Sequence, residues 1–538
     1  MPLASVPEHR ELQASLLDWA QRTGVIAQVR AMESKVSSRE APPGIFSIID
    51  PDDPGTVADV TAAVEQLAAS LVPGPIMPNL LASLLGVKAH PAAVALTPGT
   101  LTADDTLQVT GETGPVLGAS LNTTLLLSAA DGTWFTIDPA QPGVTVTPLT
   151  PLDFSRDLAN VRLDNVAVTP VDGLHTARVH DLAATLFAAE AAGVAAWCSS
   201  TATEYAKTRK QFGRLIGEFQ AVKHLCATMY CRAERAAAMI WDAPQAAVDD
   251  AVENAKDCIQ VLGGIGFTWE HDAHLYLRRA LTLRQLLPAA REHVVRAEAQ
   301  GTTSIRAWAV AAVNGHGTES QRERFTDPGI TWCQLFSEPE AGSDLAGVRT
   351  KAVKTDGGWR LTGQKVWTSL AREADWAICL ARTDVPKPST SRHAGLGFFL
   401  VDMRTEGIDI RPLREITGRA VFNEVFLDDV FVADDCLVGA PGDGWRVAMT
   451  TLGTEREALG GDDQLAKRGA HPAVRKLLGV QQRQATAEQA LVALGPAGAA
   501  ATEQSEEFLL TRCLSIAGGT TQILLNQVAE RILGLPRG

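Results

Sequence analysis

The sequence predicts a multidomain α+β protein in which helical domains flank a small antiparallel β-domain. The set is duplicated, and the second copy is shortened. Three observations predict this. Residues 143–149 and 161–168 match 407–413 and 425–432 with one constant shift of 264 residues. The stretch 178–296 is Ala-rich and carries apolar residues at three- and four-residue spacing, the pattern of an antiparallel helical bundle. Short strand-like runs flank the turn signals Asp356-Gly357-Gly358 and Thr362-Gly363, which marks hairpins.

The totals fit that class. At 538 residues the chain is long enough for several domains with full cores. Hydrophobic residues at 46% and charged residues at 20% describe a soluble globular protein rather than a disordered one. A formal charge of −14 argues against a phosphate-backbone partner, so no nucleic acid is expected. No uninterrupted apolar run reaches the length of a membrane span; the closest, 182–198, contains Glu190 and reads as a packed helix. The opening MPLASVPEHRELQ lacks the basic-then-apolar order of a signal peptide. The eight cysteines form no C-x-x-C pair, so no metal site is expected, and they fit reduced thiols in a cytoplasmic protein.

In chain order, residues 1–85 mix helical patterns with breaks at Ala41-Pro42-Pro43-Gly44 and Asp50-Pro51-Asp52-Asp53-Pro54-Gly55. They read as a diverged N-terminal helical domain. Residues 86–177 are a first, degenerate β-domain. In the bundle at 178–296, Arg209-Lys210-Gln211-Phe212-Gly213 ends one helix, with Arg209 and Phe212 on one face at i, i+3. A second helix ends at Gln260-Val261-Leu262-Gly263-Gly264-Ile265-Gly266-Phe267, where glycines let a ligand approach the backbone. A solvated charge and a plain helix C-cap explain the same residues. Residues 297–330 read as the end of a second N-terminal helical domain whose earlier part is absent. Residues 331–445 are the second β-domain. Residues 446–538 form a helical region too short for four long helices.

The chemistry concentrates in 335–369. Ser337-Glu338-Pro339-Glu340-Ala341-Gly342-Ser343-Asp344 is a turn-rich loop offering hydroxyls and carboxylates. The following strand ends in Val366-Trp367-Thr368-Ser369, an indole and hydroxyls that suit a flat, hydrogen-bonding ligand. They equally suit a hairpin whose Trp caps a core. Val109-Thr110-Gly111 matches Leu361-Thr362-Gly363 with a shift of 252, which sets Trp367 and Ser369 opposite Pro115 and Leu117. No comparable loop precedes the first hairpin. The change of shift places a surface insertion in the Pro/Ser-rich stretch 384–395.

These motifs resemble the acyl-CoA dehydrogenase family, specifically over most of 331–460. The layout resembles the fused actinobacterial type acting on steroid side-chain or other bulky acyl-CoA esters. The resemblance implies FAD as cofactor. By position, Ser337, Ser343, Trp367 and Ser369 would contact the flavin or the substrate thioester, with Ser369 where the family usually has Thr. Arg209 and Phe212 match R-x-x-F-G, and Gln260, Gly263 and Gly264 match Q-x-x-G-G; both motifs reach FAD across a subunit interface in the family. An Arg fork suits a diphosphate. Thr520 and Gln522 of the closing Gly518-Gly519-Thr520-Thr521-Gln522 join the cofactor set, and Ser343 and Arg456 the substrate set. The end of the chain, through Ala529-Glu530-Arg531 to Pro536, resembles the family's closing helix.

The implied reaction is α,β-dehydrogenation of an acyl-CoA thioester to the 2-enoyl-CoA. A carboxylate removes the pro-R α-proton, a hydride passes to flavin N5, and hydrogen bonds polarise the carbonyl. The family places the base at one of two sites. Here the loop site holds Gly518, whereas the helix site holds Glu455 beside Arg456, which makes Glu455 the expected base. The plain alternative is an ordinary helical Glu, with Glu457 as a neighbour. In the first copy the two sites hold Ala183 and Leu287. The second copy thus has the flavin loop and the base without R-x-x-F-G, and the first has the Arg and Gln-Gly-Gly motifs without loop or base. These complementary losses imply one composite FAD site per chain and a homodimer of fused chains. Electrons would pass to electron-transfer flavoprotein or a similar acceptor. The competing readings are a catalytically inactive scaffold or partner subunit on the same fold, and an acyl-CoA oxidase.

Overall fold

Helices come first among the described residues, and two sheets of closely similar topology follow in turn. The computed structural model describes residues 7–31, 44–49, 56–87, 91–97, 99–287, 305–383, 391–459 and 471–532. The breaks at 41–43 and 50–55, the 384–390 part of the insertion and the closing 533–536 lie outside the described residues. Pro7–Thr23 (α1), Val25–Ala31 (α2), Thr56–Ala69 (α3) and Ile76–Leu84 (α4) come first. The first sheet comprises Ala92–Val94 (β1), Thr102–Ala103 (β2), Gln108–Leu117 (β3), Thr124–Ser128 (β4), Trp134–Ile137 (β5), Val144–Pro148 (β6), Leu158–Ala167 (β7) and Thr169–Pro170 (β8). Four helices follow it: Thr176–Thr208 (α5), Gln220–Ala238 (α6), Pro244–Leu262 (α7) and Ala273–Leu286 (α8), with the small hairpin Lys210–Gln211 (β9) and Arg214–Leu215 (β10) after α5. By length and composition α5 could cross a membrane, but 78% of its most apolar window is buried inside the fold.

Ile305–His316 (α9) and Glu319–Phe325 (α10) lead to the second sheet. Its strands are Trp332–Leu335 (β11), Lys351–Thr355 (β12), Gly358–Ser369 (β13), Trp376–Arg382 (β14), Leu396–Asp402 (β15), Ile408–Leu413 (β16), Phe422–Ala433 (β17) and Leu437–Val438 (β18). Gly444–Leu459 (α11), Pro472–Ala493 (α12), Glu503–Leu510 (α13) and Thr521–Gln527 (α14) close the chain. Among the described residues, nothing between α11 and α12 corresponds to α6.

The duplication is visible at atomic level. The sheets run β6-β7-β3-β1-β4-β5-β8 and β16-β17-β13-β12-β14-β15-β18, with β2 pairing β3 and β11 pairing β14 outside those paths. Most pairs are antiparallel, but β1 beside β4, β11 beside β14 and β12 beside β14 run parallel, which corrects the expectation of an antiparallel β-domain. Their connections are long enough for the crossover that a parallel pair needs. In both copies a glycine precedes the β6 or β16 strand at positive φ, 88° for Gly143 and 93° for Gly407. Each accepts a bond from the Asp164 or Asp428 amide at 3.0 and 2.9 Å, and a Cβ would strike the carbonyl oxygen of the same Asp at 2.5 or 2.2 Å. The repeat therefore keeps glycine where only glycine fits.

The halves exchange contacts. Thr268, just beyond α7, bridges to Glu415 next to the second sheet, and Trp269 N donates to Arg414 O at 3.0 Å. Reciprocally, Ala500, just beyond α12, bridges to Pro151 next to the first sheet, with Leu152 N to Ala499 O at 2.9 Å and Ala501 N to Thr150 O at 2.7 Å. The core of the first half consequently includes Leu491, Ala499, Phe508 and Leu509 from the second.

Beneath α3 and α4 that core encloses charge. Arg279 pairs with Asp153 and donates to Ser155 Oγ at 2.7 Å, while Arg156 Nη2 reaches Glu190 Oε1 at 2.6 Å. All four charged groups are buried. Burial alone would raise the Asp153 carboxyl, but Arg279 and Arg156 outweigh it and hold that group below the usual range. Removing one partner strands a charge that the interior cannot solvate. Arg279→Met should therefore cost about 3–5 kcal/mol of stability, read from a denaturant transition. A loss below about 1 kcal/mol, the size of a surface pair, would show the network to be dispensable.

Candidate functional site

The second sheet presents a bulged strand end. Between Lys365 and Thr368 the register of β13 against β17 slips, and Trp367 takes a left-handed φ of 63°. Such a conformation in a bulky residue costs about 1–3 kcal/mol and persists only where the surroundings impose it. The surroundings are aromatic and glycine-rich. The Trp367 ring meets Phe422 edge-on at 5.5 Å and Phe267 at 6.2 Å. Phe267 and Gly264 belong to the turn after α7 in the other half. A Cβ on Gly264 would lie 2.9 Å from Trp367 Nε1, so a glycine is required there. Ser337 is tied to the same strand end, its carbonyl accepting from Val366 N at 2.9 Å. Ser337, Ser343, Trp367 and Ser369 are all partly exposed, the state in which a ligand can reach them.

The β9–β10 hairpin locks onto the loop at 337–344. Arg209 Nη2 donates to Pro339 O at 3.0 Å, and Gln211 Nε2 donates to Glu340 O at 3.0 Å. Asp344 N donates to Gln211 Oε1 at 3.1 Å, and Phe212 N donates to Asp344 Oδ2 at 3.1 Å. Arg392, from the inserted stretch, pairs with the Asp344 carboxylate. One expectation changes here. Arg209 and Phe212 do not share a helix face: α5 stops at Thr208, Arg209 is extended, and Phe212 turns at φ 55°. The first half's hairpin and the second half's loop meet within one chain, where the sequence reading expects its one composite site.

Gln260 and the C-terminal residues form a second group. Gln260 Nε2 donates to Gln522 Oε1 at 3.0 Å and Ser515 O at 3.3 Å, and Thr520 Oγ1 caps α14 by accepting from Ile523 N at 3.4 Å. Buried Lys476 on α12 donates to the carbonyls of Ala517 and Gly519, which shapes the turn before Thr520. Glu455 comes from a third element. It is buried on α11, which packs on α9, β14, β15 and α12. The side chains of Arg456 and Glu457 lie outside the described residues.

The donor set fits FAD. It combines a guanidinium, partly exposed hydroxyls, an indole held out of regular strand geometry and the open backbone of Gly263, where a Cβ would meet nothing within 4 Å. The first sheet does not fit. Its equivalent bulge, between Thr113 and Val116, holds Gly114 and Pro115, and Leu117 is buried. Gln211, Asp344, Phe267 and Phe422 escaped the sequence reading, although three of them stand inside its motifs. Gln211 meets Asp344, and Phe267 meets Phe422, across the two halves, and no local pattern encodes that.

Comparison with known proteins gives concordant results. The family model "Acyl-CoA dehydrogenase, middle domain" matches residues 333–430, and "Acyl-CoA dehydrogenase, C-terminal domain" matches 181–251 and 457–533, one segment in each half. The chain is 41% identical to acyl-CoA dehydrogenase FadE34 of Mycobacterium tuberculosis, covering 92% of each chain. That alignment runs over 658 positions, more than the 538 residues present, so FadE34 carries segments that this chain lacks. Acyl-CoA dehydrogenase IpdE1 of the same organism is 38% identical over 41% of this chain and 72% of its own length. Acyl-CoA dehydrogenase IpdE2 is 36% identical over 46% of this chain and 78% of its own.

Proposed function

The chain belongs to the acyl-CoA dehydrogenase family, and on that footing we propose that it oxidises an acyl-CoA thioester to the 2-enoyl-CoA at one composite site. The observation that carries this is the docking of Arg209, Gln211 and Phe212 of the first half onto the 337–344 loop of the second. Trp367, Ser369, Ser337 and Ser343 hold the isoalloxazine and thioester end. Arg209, Phe212, Gly263 and Gly264 hold the diphosphate side, with Gln260, Thr520 and Gln522 behind them. Bound FAD supplies the acceptor for the electron pair leaving the β-carbon. Glu455 takes the α-proton on its carboxylate, and burial on α11 keeps competing water from it. Arg456 and Ser343 serve the substrate.

The acyl group is proposed to be bulky, of the steroid side-chain class, which rests on the fused half-site layout alone. Comparing turnover of a polycyclic side-chain CoA ester with that of a straight-chain one tests it; faster turnover of the straight chain overturns it. The acceptor is proposed to be electron-transfer flavoprotein or a similar protein, the assembly a homodimer, and the compartment the cytoplasm.

Three outcomes follow from this reading. Glu455→Gln should abolish turnover while FAD stays bound, whereas Glu457→Gln should remain active; the reverse pattern moves the base. Flavin released by denaturation should equal about one per chain, since only one strand end carries Trp and Ser, and a ratio near two would refute the composite site. Arg209→Ala should weaken FAD binding about ten- to a hundred-fold, as expected for one charge-assisted contact. Arg209→Lys should recover part of it, because a point charge cannot grip two oxygens side by side. Titration of apo-protein with FAD checks this, and wild-type affinity in Arg209→Ala would assign Arg209 to the docking alone.

A further inference from the structure

We infer that the buried pair Lys365–Glu338 is a latch that sets the 337–344 loop against the Trp367 strand end, and that both are positioning residues for the cofactor site. The inference rests on the proposed FAD site. Lys365 is fully buried on β13, two residues before Trp367. All three of its protons are taken: by Glu338 Oε1 at 2.8 Å, Leu380 O at 2.7 Å and Phe336 O at 3.2 Å. Glu338 in turn accepts from Arg349 N at 2.6 Å, Thr350 N at 2.9 Å and Thr350 Oγ1 at 2.5 Å. One ion pair therefore fastens the end of β11, the loop, the 349–350 segment, β13 and β14. Burial alone would raise the Glu338 carboxyl; Lys365 and these donors reverse that and hold it ionised below the usual range.

The first half is an internal control. Its sheet pairs β6, β7 and β3 as the second pairs β16, β17 and β13, and Thr113 occupies the place of Lys365: each stands immediately before the bulge, Thr113 opposite Val161 and Lys365 opposite Val425. Thr113 is buried and needs only Thr97 O, at 2.7 Å. The sheet thus forms without the pair, and the copy without the pair is the copy without the loop motif and without Trp and Ser at the strand end. A buried ion pair seldom stabilises a fold more than well-packed neutral residues do, whereas it does enforce one geometry when every proton and lone pair is matched. Its place in the working half is explained by the loop, not by the sheet.

The test is the double variant Lys365→Met/Glu338→Gln, in which neither charge is stranded, beside the single variant Lys365→Met, in which one is. The double variant should keep its circular dichroism and a cooperative thermal transition. Its apo-form should be cut after Glu340 by a Glu-specific protease about tenfold faster than wild type, and it should bind FAD about tenfold more weakly with an altered flavin visible band. Pro339, Glu340 and Gly342 are exposed, so cleavage there reports the loop with no cofactor present. Wild-type proteolysis together with wild-type FAD affinity in the double variant would overturn the latch. Unfolding of the double variant would overturn it too, by making the pair a requirement of the sheet. Failure of the wild-type chain to bind FAD would instead overturn the site reading, and the apo-proteolysis arm still decides the latch.

Discussion

The structure depends on an exchange. The turn after α7 crosses to the second sheet at Thr268–Glu415, and the turn after α12 crosses to the first at Pro151–Ala500. The two crossings occupy equivalent places in the repeat, so each sheet has its neighbouring surface covered by the opposite half. Everything at the candidate site follows from the first crossing. Gly264 comes under the Trp367 indole, Phe267 joins Phe422 around it, and the chain after α5 is brought to the 337–344 loop.

The exchange is symmetric, whereas its chemical content is not. At the first crossing the covered strand end bears Trp367 and Ser369, and the Arg209 guanidinium is bonded to the 337–344 loop. At the second it bears Pro115 and buried Leu117, and among the described residues no counterpart of α6 follows α11. The first half also encloses an Asp153–Arg279–Glu190–Arg156 cluster in its core. Backbone geometry survived in both copies because glycines such as Gly143 and Gly407 are required by the sheet itself. Side chains differ at the strand end, where Pro115 and Leu117 stand opposite Trp367 and Ser369.

That division explains what was legible in the sequence. Strands, turns and the repeat were readable because positive-φ glycines and alternating apolar residues act over a few positions. The loop and strand-end residues were readable as motifs. The relation of Arg209 to Phe212 was not, since the Ala-rich pattern runs smoothly to Thr208 and nothing in it announces that the next residues leave the helix for a hairpin. Gln211 and Asp344 were equally opaque, for their partners lie in the other half. Lys365 belongs to no motif that the sequence offers; the sheet register turns it inward.

The second crossing also orders events in time. Thr150 to Leu152 find their partners at Ala499 to Ala501, near the far end of the chain. While the ribosome is still making the second half, the first sheet is left with that face bare and its core short of Leu491, Ala499 and Phe508. Contacts so distant in sequence form slowly, and exposed apolar surface invites aggregation in the meantime. The 150–152 face and the apolar residues behind it therefore stay unpaired until Ala499 to Ala501 have been made.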